Sequence, residues 1–98
     1  MIDRKIYAGF VRLHIISLAI EDWISGLDAR DRLRQFGYPL TPGSLNAMLR
    51  ELESGGYLLT RSESVKKGNR KSYRASAMGE RTLAEAKIKI EKLSEELK

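Results

Sequence analysis

The sequence predicts a mainly α-helical chain with one small β-hairpin, and three observations carry that expectation. Apolar residues recur at helical spacing over most of the 98 residues. Gly55-Gly56 interrupts the pattern, and two short strand-like runs follow it on either side of Gly68-Asn69. From Ser76 the helical spacing returns, with Leu83, Ala86, Ile90, Leu93 and Leu97 stepping by 3, 4, 3 and 4 in a heptad seam.

Residues 4–20 read as the first helix. Ile6, Phe10, Leu13 and Ile20 share one face, with Tyr7, Val11, His14 and Leu18 beside it. From Leu13 to Ile20 the apolar surface wraps most of the way round, as in a helix covered by its own core on one side and a partner on the other. Trp23-Ile24 is a short extended piece. Ser25 or Asp28 caps a second helix running to about Phe36, with Leu33 and Phe36 inward and Arg30, Arg32 and Arg34 mostly outside. Gly37 ends it. Thr41-Pro42 reads as an N-cap followed by proline at the first helical position of a third helix, about 42–54. Leu45, Met48, Leu49 and Leu52 mark its buried side. Tyr57–Ser62 and Lys71–Ala75 are the hairpin strands, with Gly68 and Asn69 as turn residues and Tyr73 pointing inward.

This order is a helix-turn-helix followed by a wing: a winged helix-turn-helix with a long C-terminal dimerisation helix. Residues 1–75 form the winged domain and 76–98 the C-terminal helix, which is not a separate domain. In such a fold the third helix enters the DNA major groove and the wing lies against the backbone or minor groove. The charge supports this. Residues 61–74 hold Arg61, Lys66, Lys67, Arg70, Lys71 and Arg74 against one acid, Glu63, while acids and bases balance elsewhere. The whole net charge of +5 therefore sits in the hairpin, where a wing tip would meet phosphates.

Several classes are excluded or unsupported. With no cysteine there are no disulfides, thiolate metal sites or cysteine nucleophiles. His14 alone cannot support a structural zinc site, and it reads as a packing residue within an apolar stretch. No Ser/His/Asp arrangement or glycine-rich phosphate loop is present, so neither enzyme activity, a catalytic residue, a metal site nor a cofactor is expected. No apolar run approaches ~18 residues and the N-terminus does not read as a signal peptide, so no membrane association and a cytoplasmic location are expected.

Three segments also resemble the PadR-type transcriptional regulators. LAIEDWISGLDA (18–29) is similar to the family's LLAEGPLHGYEI, LTPGSLNAMLRELESGGYL (40–58) to its LSPGTLYPLLRRLEKEGLI, and GNRKSYRASAMGE (68–80) to its PRKYYRLTEKGRE. The departures are Leu27 for the tyrosine after the glycine, Asn46-Ala47 for Tyr-Pro, and Ser72 for the first wing tyrosine. The resemblance implies a homodimeric repressor joined through the C-terminal helix, in a family whose members often answer to small aromatic or drug-like effectors.

The expected contacts with double-stranded DNA are Thr41, Ser44, Asn46 and Arg50 on the third helix and Lys66, Lys67, Arg70 and Lys71 in the wing. Thr41 and the free amides of the helix start suit a phosphate. Asn46 suits adenine, and Arg50 suits guanine or a phosphate. The plainer reading of Arg50 is an intrahelical neighbourhood with Glu51 and Glu53. The expected dimer interface is Leu83, Ala86, Ile90, Leu93 and Leu97. The rival to DNA binding is a winged-helix interaction module docking an acidic protein partner.

Overall fold

The computed structural model describes residues 4–98 apart from Pro39 and Lys67, with Arg4 and Lys5 described by backbone alone. The elements are α1 (Arg4–Glu21), β1 (Ile24–Ser25), α2 (Gly26–Gln35), α3 (Pro42–Ser54), β2 (Leu58–Val65), β3 (Gly68–Ala75) and α4 (Ala77–Glu96). This is a winged helix-turn-helix with a long closing helix.

Hydroxyl caps start three of the helices. The Ser25 hydroxyl accepts from the Asp28 amide at 3.1 Å, so Ser25 rather than Asp28 is the cap of α2. Thr41 accepts from the Ser44 amide at 3.1 Å, with Pro42 opening α3. Ser76 accepts from the Gly79 amide at 3.0 Å. Each cap satisfies one amide that the first helical turn leaves without a partner.

The sheet runs β1-β3-β2, all antiparallel. The short piece after Trp23 is thus a third strand, pairing Ile24 with Tyr73 and Ser25 with Ser72. The hairpin is longer than the sequence suggested. Pairing continues from Leu58↔Ala75 to Val65↔Gly68, and Lys66 is a turn residue. Gly68 and Asn69, expected in the turn, instead begin the return strand. Gly68 sits at φ 116°, a left-handed conformation that a side chain disfavours, and so lets β3 start directly after the basic pair.

The core lies where α1, α2 and α3 meet the sheet. Leu33, Leu45, Leu49 and Leu52 are buried as expected, and Tyr73 is buried on β3. Met48 packs at the edge of this cluster. Helix α1 departs from expectation. Its buried side is Val11, Ile15, Ile16 and Ala19, while Ile6 and Phe10 are exposed. Apolar residues surround this helix, so periodicity alone did not select the inward side. Phe36 is also exposed, at 47%. It is the C-cap of α2, its amide still donating to the Arg32 carbonyl at 3.2 Å, and its ring turns toward α1 instead of the core. There it stacks on His14 at 4.7 Å between ring centroids. His14 packs between that ring and Tyr38.

At the start of α4, Gly79 is buried against the backbone of Tyr57, leaving no room for a Cβ. Leu83 packs on the same core. Beyond it the helix projects: Ala86 is half-buried, and Ile90, Leu93 and Leu97 are exposed.

Candidate nucleic-acid interface

The buried side of α3 fixes what the helix presents outward. With Leu45, Leu49 and Leu52 facing the core, Ser44, Asn46 and Arg50 are exposed, and Thr41 is exposed at the tip. Thr41 and Ser44 are coupled: the Thr41 hydroxyl donates to that of Ser44 at 3.0 Å while accepting the Ser44 amide. The first turn of α3 therefore presents a hydroxyl pair beside free amides, an arrangement suited to an anion.

Asn46, Arg50 and Glu53 recur at helical spacing and form one stripe along α3. The neighbours proposed for Arg50 are engaged elsewhere. Glu51 pairs with Arg12 of α1. Glu53 pairs with Lys71. Among the described residues no acidic side chain pairs with Arg50, whose guanidinium is left toward solvent.

The wing divides its charge between two faces. Side chains alternate along a strand, and directly paired residues share a face. The register thus groups Arg61, Glu63, Arg70 and Arg74 on one face, and Thr60, Ser62, Lys71 and Tyr73 on the other. Arg61 is occupied twice: its guanidinium lies 4.5 Å from the Trp23 ring centroid and pairs with Glu63 at 3.2 Å. Lys66 and Arg70 are exposed, with no acidic partner among the described residues. Lys67, expected to contact phosphate, lies outside the described residues.

Lys71 faces α3, and its ammonium donates to Glu53 Oε1 at 3.2 Å. The Thr60 hydroxyl donates to the other oxygen of Glu53 at 2.7 Å. One carboxylate thus joins α3 to both strands of the wing. The Thr60 hydrogen bond, followed by that from Lys71, lowers the Glu53 pKa below the ordinary carboxylate value. Sequence reasoning missed this contact because it joins residues 7 and 18 positions apart on three elements. The only local signal was the placement of Glu53 on the Asn46–Arg50 stripe.

An open cavity of about 560 Å³ lies between the end of α1 and α2, with Trp23 and Phe36 among its walls and Glu21, Asp22, Asp28 and Asp31 around them. Among the described residues, no helix is long and apolar enough to cross a membrane.

No protein-family model matches the chain. The chain is 32% identical over 94 residues to the transcriptional regulator Rv3488 of Mycobacterium tuberculosis, covering 96% of this chain and 88% of that protein. Its fold matches a PadR-family transcriptional regulator from Eggerthella lenta with a TM-score of 0.84 and 25% identity, over 95% of this chain and 82% of the other. Bacillus subtilis PadR, solved in complex with operator DNA, shares the fold at a TM-score of 0.71 and 22% identity. That match spans 80% of this chain and 46% of PadR.

Proposed function

Because this chain belongs to the PadR family of transcriptional regulators, we propose that it is a cytoplasmic, homodimeric repressor that binds specific double-stranded DNA. The observation that carries this reading is the pairing of two surfaces. Helix α3 turns Ser44, Asn46 and Arg50 outward, and the adjoining hairpin holds the chain's whole excess of positive charge. The operator-bound relative supports the same use of the fold.

In this reading Asn46 and Arg50 meet base edges, while Thr41 and Ser44 hold a phosphate at the start of α3. Lys66, Lys67 and Arg70 meet phosphates along the wing. Lys71 belongs to the same surface, but in the free protein its ammonium is bound to Glu53. Residues 1–75 act as the reading head and α4 joins two heads through Ile90, Leu93 and Leu97, supported by Leu83 and Ala86. Two copies of α3 then enter successive major grooves about 34 Å apart on a roughly palindromic site.

An effector would bias the spacing of the heads. The cavity beside Trp23 and Phe36 offers aromatic walls for one, and its carboxylates favour a cationic body. Trp23 is the only tryptophan, so its fluorescence reports occupancy of that cavity directly.

The deciding experiment is fluorescence anisotropy of a labelled mixed-sequence duplex at several salt concentrations. Binding should weaken steeply with salt, with a logarithmic slope of roughly −0.9 per phosphate neutralised. Failure to bind at low salt would overturn the DNA reading and leave the basic hairpin to an acidic protein partner.

A further inference from the structure

Glu53 is out of place on the surface just described. It continues the exposed stripe of Asn46 and Arg50, so a carboxylate stands where phosphates would approach. It also lies near the C-terminal end of α3, where the helix dipole disfavours negative charge. Neither fact suits a DNA-facing helix unless the carboxylate has another use.

Its contacts supply one. One oxygen accepts from Thr60 on β2 and the other from Lys71 on β3, at 2.7 and 3.2 Å. Lys71 is also attracted to the Tyr73 ring, whose centroid lies 5.9 Å from the ammonium. Lys66 and Arg70 on the same hairpin have no such acidic partner among the described residues.

We propose that Glu53 is a specificity-determining residue: an internal competitor that holds Lys71 off nucleic-acid phosphate and so restrains sequence-independent attraction to DNA. The proposal rests on the DNA-binding reading. A phosphate can take Lys71 only by displacing a carboxylate already hydrogen-bonded to it. Displacement would also leave the freed negative charge of Glu53 beside the DNA backbone. Lys71 therefore adds nothing to the electrostatic term that every sequence shares, whereas base contacts from Asn46 and Arg50 are unaffected. The ratio of specific to non-specific affinity rises accordingly.

The test is the salt dependence of mixed-sequence duplex binding for the full chain, Glu53→Gln, Lys71→Met and the double variant. Glutamine keeps an acceptor for Thr60 and removes the charge that holds Lys71. Glu53→Gln should bind roughly five- to tenfold more tightly at ~0.1 M salt, with a slope steeper by about 0.9. Lys71→Met leaves the Glu53 carboxylate unpaired beside the DNA and should bind more weakly than the parent, whereas adding it to Glu53→Gln removes both charges and should restore the parent slope. A structural role for Glu53 alone would change the urea midpoint and leave the slope unchanged. An unchanged slope in Glu53→Gln, or a slope shallower than the parent's by about 0.9 in the double variant, would overturn the proposal. The second result would mean that Lys71 already lies on phosphate in the parent complex. A parent protein that binds no duplex would overturn the DNA reading and this proposal with it.

Discussion

At the scale of single residues, Glu53 shows how a surface carboxylate becomes part of an architecture. The Thr60 and Lys71 hydrogen bonds favour its charged form, so its folded pKa lies below the unfolded one. The sign of the pH effect follows. The stabilisation is present above the ordinary carboxylate value of 4.5 and is lost as pH falls through the lowered folded value. Urea unfolding of the parent should therefore steepen in its loss of stability below that pH, and Glu53→Gln should remove this component. Parallel curves for the two proteins down to pH 3 would show that the interlock contributes nothing to folding. The effect is small, because the pair is partly solvated.

At the scale of elements, the junction between wing and closing helix is set by a single glycine. Gly79 brings the first turn of α4 against the Tyr57 carbonyl, and the Ser76 amide donates to that same oxygen at 3.1 Å. The Ser76 hydroxyl also bonds the Gly56 carbonyl. A methyl group at Gly79 would push against backbone, which cannot yield as a flexible side chain would. Gly79→Ala should cost about 3 kcal/mol, near the top of the usual range for overpacking. Thermal melting measures it, and an unchanged midpoint would show that α4 can shift on the sheet without loss. Gly43 makes a useful control, since a Cβ there meets nothing within 4 Å.

At the scale of the whole molecule, one chain leaves large apolar side chains exposed on several elements, α1 and α4 among them. Helix α1 exposes Ile6 and Phe10, and α4 exposes Ile88, Ile90, Leu93 and Leu97. In the proposed homodimer a second copy would cover such surface. Charge placed in the seam by Ile90→Glu with Leu93→Glu should give a folded monomer. Its DNA binding should be much weaker, because two linked heads bind as one ligand and separated heads do not. Light scattering that still showed a dimer would remove the seam from the interface.

The sequence by itself determined the local features. The Thr41 cap, the glycine stops and the inward leucines of α3 act within a few residues, and each was legible from neighbours along the chain, whereas the choice of Ser25 over Asp28 and the cap at Ser76 came from the structure. The location of net charge was legible for the same reason. Tertiary structure decided whatever had more than one local solution. Helix α1 could bury either side of an almost continuous apolar surface, and only packing against the sheet, α4 and α2 selected Val11, Ile15, Ile16 and Ala19. Strand pairing lengthened the hairpin, because ladder hydrogen bonds form between segments that local propensity leaves undecided. The joining of Glu53, Thr60 and Lys71 required α3, β2 and β3 to meet, and no periodicity within one segment encodes a contact among three.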